Sequence, residues 1–432
     1  MERPQRVFLH IGAPKTGTTF VQSVLFHFRD ALREQGVLYP AERYDEHFFA
    51  AVDLQDLDFS GEPRPEAAGT WQRVATRARS WPGTSIISHD VFAGASQEQA
   101  AVAVTALAPA QVHVVFTARD LGRQLPSHWQ EDVKHGQRGT FAEWFTAIER
   151  RDEHDWQLRW FWQVEEIPEV LRRWGAAVPP ERVHLVTVPH DDGRPDELWR
   201  RFATVIGVDP FSVNASEVHN PNTSLDVADV ELVRRLNGLR DDGLTQAEYE
   251  HTVKGLLVHE TLAHHPVTRR PGLPRDCFPH VLALSQQWVR QLESAGYDIV
   301  GDLAELLPVA PGDGATDPDS ATDAEVAQTA AGALYAVLLQ LRQERRNSAS
   351  ARDEGGRLRP RLERAETLVA EHEGLPHWER IKRTVVEISR TSPPVERALD
   401  LYRRARARRR LLPLQRRDSR ADRDTEVRGD QT

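Results

Sequence analysis

The chain has 432 residues, enough for one large domain or two ordinary ones with a full buried core. Its 40% hydrophobic and 28% charged residues read as a soluble globular protein, and a net charge of −10 argues against nucleic-acid binding by the whole surface. With Cys277 as its one cysteine, the chain has neither a disulfide framework nor a cysteine-rich metal site.

In chain order, Val7-Phe-Leu-His-Ile11 is an apolar, β-prone run that starts too early to leave room for a secretory leader. No run approaches the roughly 18 apolar residues of a membrane span, so a cytoplasmic protein is expected. A loop from Gly12 to Gly17 follows. Residues 18–36 then read as a helix, with Phe20, Val21, Val24, Leu25, Phe28 and Leu32 at spacings of three and four. Val37–Pro40 reads as a short strand. The acidic stretch 41–70 reads as an irregular, substrate-side loop region. Trp71–Ser80 reads as a helix, Thr84–Ser88 as a strand ending in His89-Asp90, and Ser96–Leu107 as a helix. Val112–Thr117 is the strongest strand signal, nearly all β-branched or aromatic. It leads through Ala118-Arg119-Asp120 into a helix over 121–135.

Residues 140–175 read as helical and carry Trp144, Trp156, Trp160, Trp162 and Trp174, expected to pack against a sheet, with stacking on acceptor sugar rings as the other reading. A strand over 182–188 and helices over 196–206, 226–240, 246–264 and 281–296 complete the pattern. Strands alternating with helices predict an α/β fold: three α/β/α layers around a mostly parallel sheet. The composition predicts a domain over 1–308, a linker over 309–323 rich in Pro, Gly and Asp, and a helical, partly disordered extension over 324–432. Within the extension, helices are expected over 324–346 and 361–373, and they offer a surface for a partner or self-association. The arginine-rich run 403–410 reads as a solvated or self-pairing tail.

The strand, glycine loop and helix at 7–33 form an architecture that points backbone N–H groups and a helix N-terminus at a phosphate. Gly12, Gly17 and Thr19 fit the spacing of a Walker loop, but position 18 is threonine and the lysine sits inside the loop as Lys15. Pro14-Lys-Thr-Gly-Thr-Thr19 with Gln22 instead resembles the 5′-phosphosulfate loop of sulfotransferases that use 3′-phosphoadenosine 5′-phosphosulfate (PAPS). Arg119 at the end of the central strand, with Ser127 eight residues on, resembles the pair that holds the 3′-phosphate in that family. An arginine fork and a helix-borne hydroxyl suit such a group.

The resemblance implies a P-loop-like sulfotransferase fold and PAPS as co-substrate, with no metal. Pro14, Lys15, Thr16, Gly17, Thr18, Thr19, Gln22, Arg119 and Ser127 would bind it, Lys15 stabilising the leaving phosphate oxygen. A hydroxyl acceptor, either a carbohydrate or another small molecule, also needs a base. The family places a histidine or glutamate after the corresponding strand, and both His89 and Asp90 stand there. Asn222 and Ser224 lie in a turn similar to Asn-x-Ser-Leu segments of bacterial members. The late Arg-Lys-Gly-type segment of some relatives is not found. Two other readings remain: a P-loop small-molecule kinase using ATP, which Arg119 at the strand end disfavours, and a non-catalytic scaffold with the same fold.

Overall fold

A computed structural model describes residues 5–57, 65–152, 154–190, 194, 196–218, 224–240, 243–312, 316–372, 397–398 and 400–401. The chain divides into two compact units, Met1–Leu338 and Leu339–Thr432. The first unit is built on six strands: β1 (Arg6–His10), β2 (Val37–Leu38), β3 (Thr84–Ser88), β4 (Gln111–Ala118), β5 (Val183–Thr187) and β6 (Asp298–Val300). All pair in parallel, in the order β2-β3-β1-β4-β5-β6.

Helices connect the strands and cover both faces. They are α1 (Thr18–His27), α2 (Arg29–Glu34), α3 (Glu46–Gln55), α4 (Thr70–Ser80), α5 (Gln97–Ala106), α6 (Leu121–Lys134) and α7 (Phe141–Glu149). Next come α8 (Trp156–Glu165), α9 (Ile167–Gly175), α10 (Glu197–Ile206), α11 (Val227–Leu239) and α12 (Gln246–Tyr249), which runs into a π-helical segment, Glu250–His259. Last are α13 (Phe278–Glu293) and α14 (Asp323–His372).

Strand side chains alternate between two apolar layers. Val7, Leu9, Ile11, Ile87, Val112, Val114, Phe116 and Leu185 point to one core, while Phe8, Ile86, Val115 and Val186 point to the other, beneath α1 and α10. A sheet buried on both faces explains why β1 and β4 read as continuous apolar runs. Each fully buried Val, Leu or Phe there contributes roughly 1.5–3 kcal/mol. The chain goes from β1 outward to β2 and β3, then crosses back to β4 on β1's other side. That reversal opens a crevice beyond the carboxyl ends of β1 and β4, where parallel sheets bind ligands.

Several elements differ from the sequence reading. The helix over 18–36 breaks at Phe28 into α1 and α2. The stretch 41–70 contains α3, which buries His47, Ala50, Ala51, Val52 and Gln55, so its apolar face is real despite the surrounding charge. β6 went unpredicted, being three residues at the sheet edge and only partly buried. The two late helices are one, α14; its Ser, Gly and Pro360 positions cost helix propensity of about 1 kcal/mol for Gly and 3 for Pro without ending it.

Asp319, inside the stretch that reads as a linker, and Glu325 just beyond it bond to the rest of the first unit. The Asp319 carboxylate accepts the Phe141 and Ala142 N–H groups at 2.7 and 2.9 Å, and Arg269 pairs with Glu325 at 2.6 Å. Of the second unit, the described residues are 339–372 of α14 and the short pieces at 397–398 and 400–401. The arginine-rich run 403–410 lies outside the described residues. Among these, no helix is long and apolar enough to cross a membrane.

Candidate active site

The loop between β1 and α1 is stitched to β4. Ala13 N–H donates to the Thr117 carbonyl at 2.9 Å, Thr117 N–H returns to the Gly12 carbonyl at 2.6 Å, and the buried Thr16 hydroxyl bonds the Ala13 carbonyl and Thr117 Oγ1 at 2.7 and 2.6 Å. The Thr16 side chain therefore braces the loop, leaving its backbone as the part that can face a ligand. Gly12 has φ +121, and a Cβ there would lie 3.1–3.3 Å from the Asp90 backbone and Cβ, so the loop passes against the end of β3. Lys15 has φ +61, a conformation costly for a non-glycine residue and typical of strained functional loops. Gly17 is the N-cap of α1 and offers no side chain to bond its first turn.

A cleft of about 620 Å³ opens over the loop. Pro14, Lys15, Gly17, Thr18, Thr19, His89 and Asp90 line it together. The Thr18 hydroxyl donates to Asp90 Oδ2 at 3.1 Å, tying the start of α1 to the end of β3. His89 Nδ1 accepts the Val91 N–H at 3.2 Å and lies 3.1 Å from Asp90 Oδ1. Burial pushes the His89 pKa down against the opposing pull of Asp90. A neutral ring accepting at Nδ1 carries its proton on Nε2.

Arg119 follows β4 outside the cleft lining and donates to the Lys15 carbonyl at 3.3 Å, so it reaches the same loop from β4. Its pKa is lowered to about 10, first by burial and then by Arg123 and Arg270, with Asp120 opposing. Arg270 belongs to the segment Arg269-Arg-Pro-Gly272, which the N-cap carboxylate of α11 holds. Asp226 Oδ2 accepts the Thr268 N–H, the Thr268 hydroxyl and the Arg269 N–H at 2.8–2.9 Å. Ser127 lies on α6, its hydroxyl donating to the Arg123 carbonyl at 2.9 Å. Gln22 Nε2 is buried with no partner among the described residues. Ser224 sits by Gln130 of α6, 3.4 Å from its Nε2, whereas Asn222 lies outside the described residues.

Sequence reasoning missed the polar face of α6. Glu131 pairs with Lys15 at 2.5 Å and with Lys134 at 3.3 Å, and the surrounding Lys15, Lys134, His135 and Lys254 hold its carboxyl well below the usual range despite burial. Deeper, His128 Nδ1 meets Glu165 at 2.8 Å, and Asp132 accepts the Trp144 Nε1–H at 2.9 Å. Gln124 joins this group to the loop, donating to Glu165 and, at 3.0 Å, to the Pro14 carbonyl. The signal in the sequence was spacing: positions 124, 128, 131, 132 and 135 share one face of a helix that is otherwise buried. Of the five tryptophans, Trp144 and Trp174 are core residues, Trp162 packs under Arg151, and Trp156 and Trp160 line the cleft.

No family model matches the chain, and no curated protein matches it. Two solved structures are similar to it. A sulfotransferase from Alicyclobacillus acidocaldarius is 20% identical with a TM-score of 0.35, the match covering 51% of this chain and 88% of that one. The sulfotransferase domain of the Synechococcus PCC 7002 olefin synthase is 13% identical with a TM-score of 0.27, over 69% of this chain and 97% of that one.

Proposed function

We propose that the chain transfers a sulfuryl group from PAPS to a hydroxyl acceptor. One observation carries this reading: a single glycine loop has an ammonium, Lys15, facing the cleft, while the guanidinium of Arg119, with Arg270 near it, bonds its backbone. A ligand with a phosphosulfate at the loop and a separate phosphate beside the arginines suits an ammonium and guanidinium groups at one loop. The residues fit the group in one further respect: the buried Gln22 amide, which has no partner among the described residues.

When bound, PAPS supplies the sulfuryl group. The chain supplies the surroundings. Backbone N–H groups of Thr18 and Thr19 and the Lys15 ammonium stabilise the charge that grows on the leaving phosphate oxygen. Arg119, Arg270 and Ser127 take the 3′-phosphate. Asp90 is the base, because its Oδ1 can accept a proton while Oδ2 stays fixed by Thr18. His89 offers its Nε2–H to the acceptor oxygen and holds it in place.

Transfer of radiolabelled sulfate from PAPS to a panel of hydroxyl acceptors tests the reading. Asp90→Asn is expected to lower kcat by about 10²–10⁴, and His89→Gln to act mainly on the acceptor KM. Full activity of Asp90→Asn beside an inactive His89→Gln would reverse the assignment of the base. Failure of the native protein to label any acceptor would overturn the function.

A further inference from the structure

Lys15 owes its direction to a residue outside its own loop. Its Nζ donates to Glu131 Oε2 at 2.5 Å, and the two side chains, 23% and 26% exposed, meet in the lining of the cleft. A lysine side chain samples many rotamers, and holding it in one costs on the order of 2 kcal/mol. Glu131 does the holding here. An ammonium has three N–H donors, and the contact with Glu131 engages one of them.

Glu131 is fixed in turn by its surroundings. Lys134 Nζ reaches the same Oε2 at 3.3 Å. His135 Nδ1 donates to the Glu131 carbonyl at 2.8 Å and lies 3.8 Å from Oε1. Burial and then the neighbouring Lys254 push His135 down to about 4, with Glu131 opposing, so the ring is neutral near pH 7. With its proton on Nδ1, its Nε2 accepts from Lys254 Nζ at 2.5 Å. A continuous chain therefore runs from the π-helical segment Glu250–His259, which carries Lys254, through His135 and Glu131 to Lys15 in the loop. π-helical turns are rare overall and concentrated at functional sites. The carboxylate offsets the charge that it holds, so what the chain supplies to the cleft is direction.

We propose that Glu131 is a positioning residue that aims the Lys15 ammonium at the leaving phosphate oxygen, with His135 and Lys254 setting the carboxylate's own orientation. The proposal rests on the sulfuryl-transfer reading. A donor stabilises developing charge only from the right place, and a misplacement of about 1 Å can cost about 10²-fold in rate. In this role Glu131 acts through Lys15, so its whole effect on the reaction depends on that lysine.

Single-turnover cleavage of radiolabelled PAPS, with the best acceptor of the panel above and with water alone, tests the proposal beside calorimetric titration with 3′,5′-diphosphoadenosine (PAP). Glu131→Gln is expected to lower the cleavage rate by about 10- to 100-fold, with the melting temperature near the native value and PAP bound no more weakly. Glu131→Asp keeps a negative charge for Lys134 but draws it back by one methylene, and it is expected to lose rate as well. In a Lys15→Ala background, Glu131→Gln should change nothing further, because two residues that act as a unit are not additive. A native rate in both Glu131 variants, an equal loss with and without Lys15, or a loss of PAP binding along with the rate would overturn the proposal. Native protein that binds no PAP and cleaves no PAPS would sink the donor reading instead, so the two failures are distinguishable.

Discussion

Lys15→Ala is expected to reduce sulfuryl transfer by about 10²–10³ in kcat, the usual effect of removing one preorganised donor from a developing oxyanion. The structure also says what the variant leaves intact. Glu131 keeps Lys134 at 3.3 Å, so its carboxylate is not stranded, and alanine inherits the same φ of +61 that lysine tolerates. The loop stays bonded to β4 through Ala13, Thr16 and Thr117, none of which involves the lysine side chain. Single-turnover transfer should collapse while the melting temperature moves by only a few degrees. A parallel loss of folding would instead assign Lys15 a structural role, as the partner of Glu131.

Acidification is expected to unfold the protein at a milder pH than carboxylate protonation alone requires. His10 and His47 are completely enclosed, and burial pushes both down to about 3. Burial likewise takes His113 and His135 to about 4. A histidine whose pKa is depressed in the folded state contributes stability that is present above its unfolded value of about 6.5 and lost as the pH falls towards the folded value. Asp132, raised to about 6 by burial, works in the opposite sense over part of that range, as do Glu165 and His128. The four depressed histidines together take up protons on unfolding, so stability falls as the pH drops from about 6 towards 4. Chemical denaturation at a series of pH values measures it. His10→Gln, in contact with Ser88 at 2.7 Å and Thr117 at 3.3 Å, should flatten the slope by about one proton. An unchanged slope would mean that His10 is not the source.

The sheet was legible because strands buried on both faces leave continuous β-branched runs, as in Val112–Thr117, and because Gly36 and Gly207 punctuate helix ends with positive φ. The loop between β1 and α1 was legible because Gly12 and Gly17 punctuate it at positive φ between an apolar run and a helical period. Other features were hidden for physical reasons. α3 is short and leaves Phe48, Phe49 and Leu54 half-buried beside its buried stripe, so no clean apolar period marks it. The Glu131 cluster joins residues 116 and more positions apart: Lys15 to Glu131 and His135 to Lys254. Arg270 acts on Arg119 through space from a distant segment that Asp226 holds. The Val91 N–H that bonds His89 Nδ1 is likewise announced by no sequence pattern.

The central claim is that this glycine loop and the arginines behind it recognise a 3′-phosphorylated adenine nucleotide. Calorimetric titration with PAP, 5′-AMP and ATP tests it most directly. PAP is expected to bind at least about tenfold tighter than either competitor, with Arg119→Ala and Arg270→Ala each removing that preference. Equal affinity for PAP and 5′-AMP, or tighter binding of ATP, would contradict it.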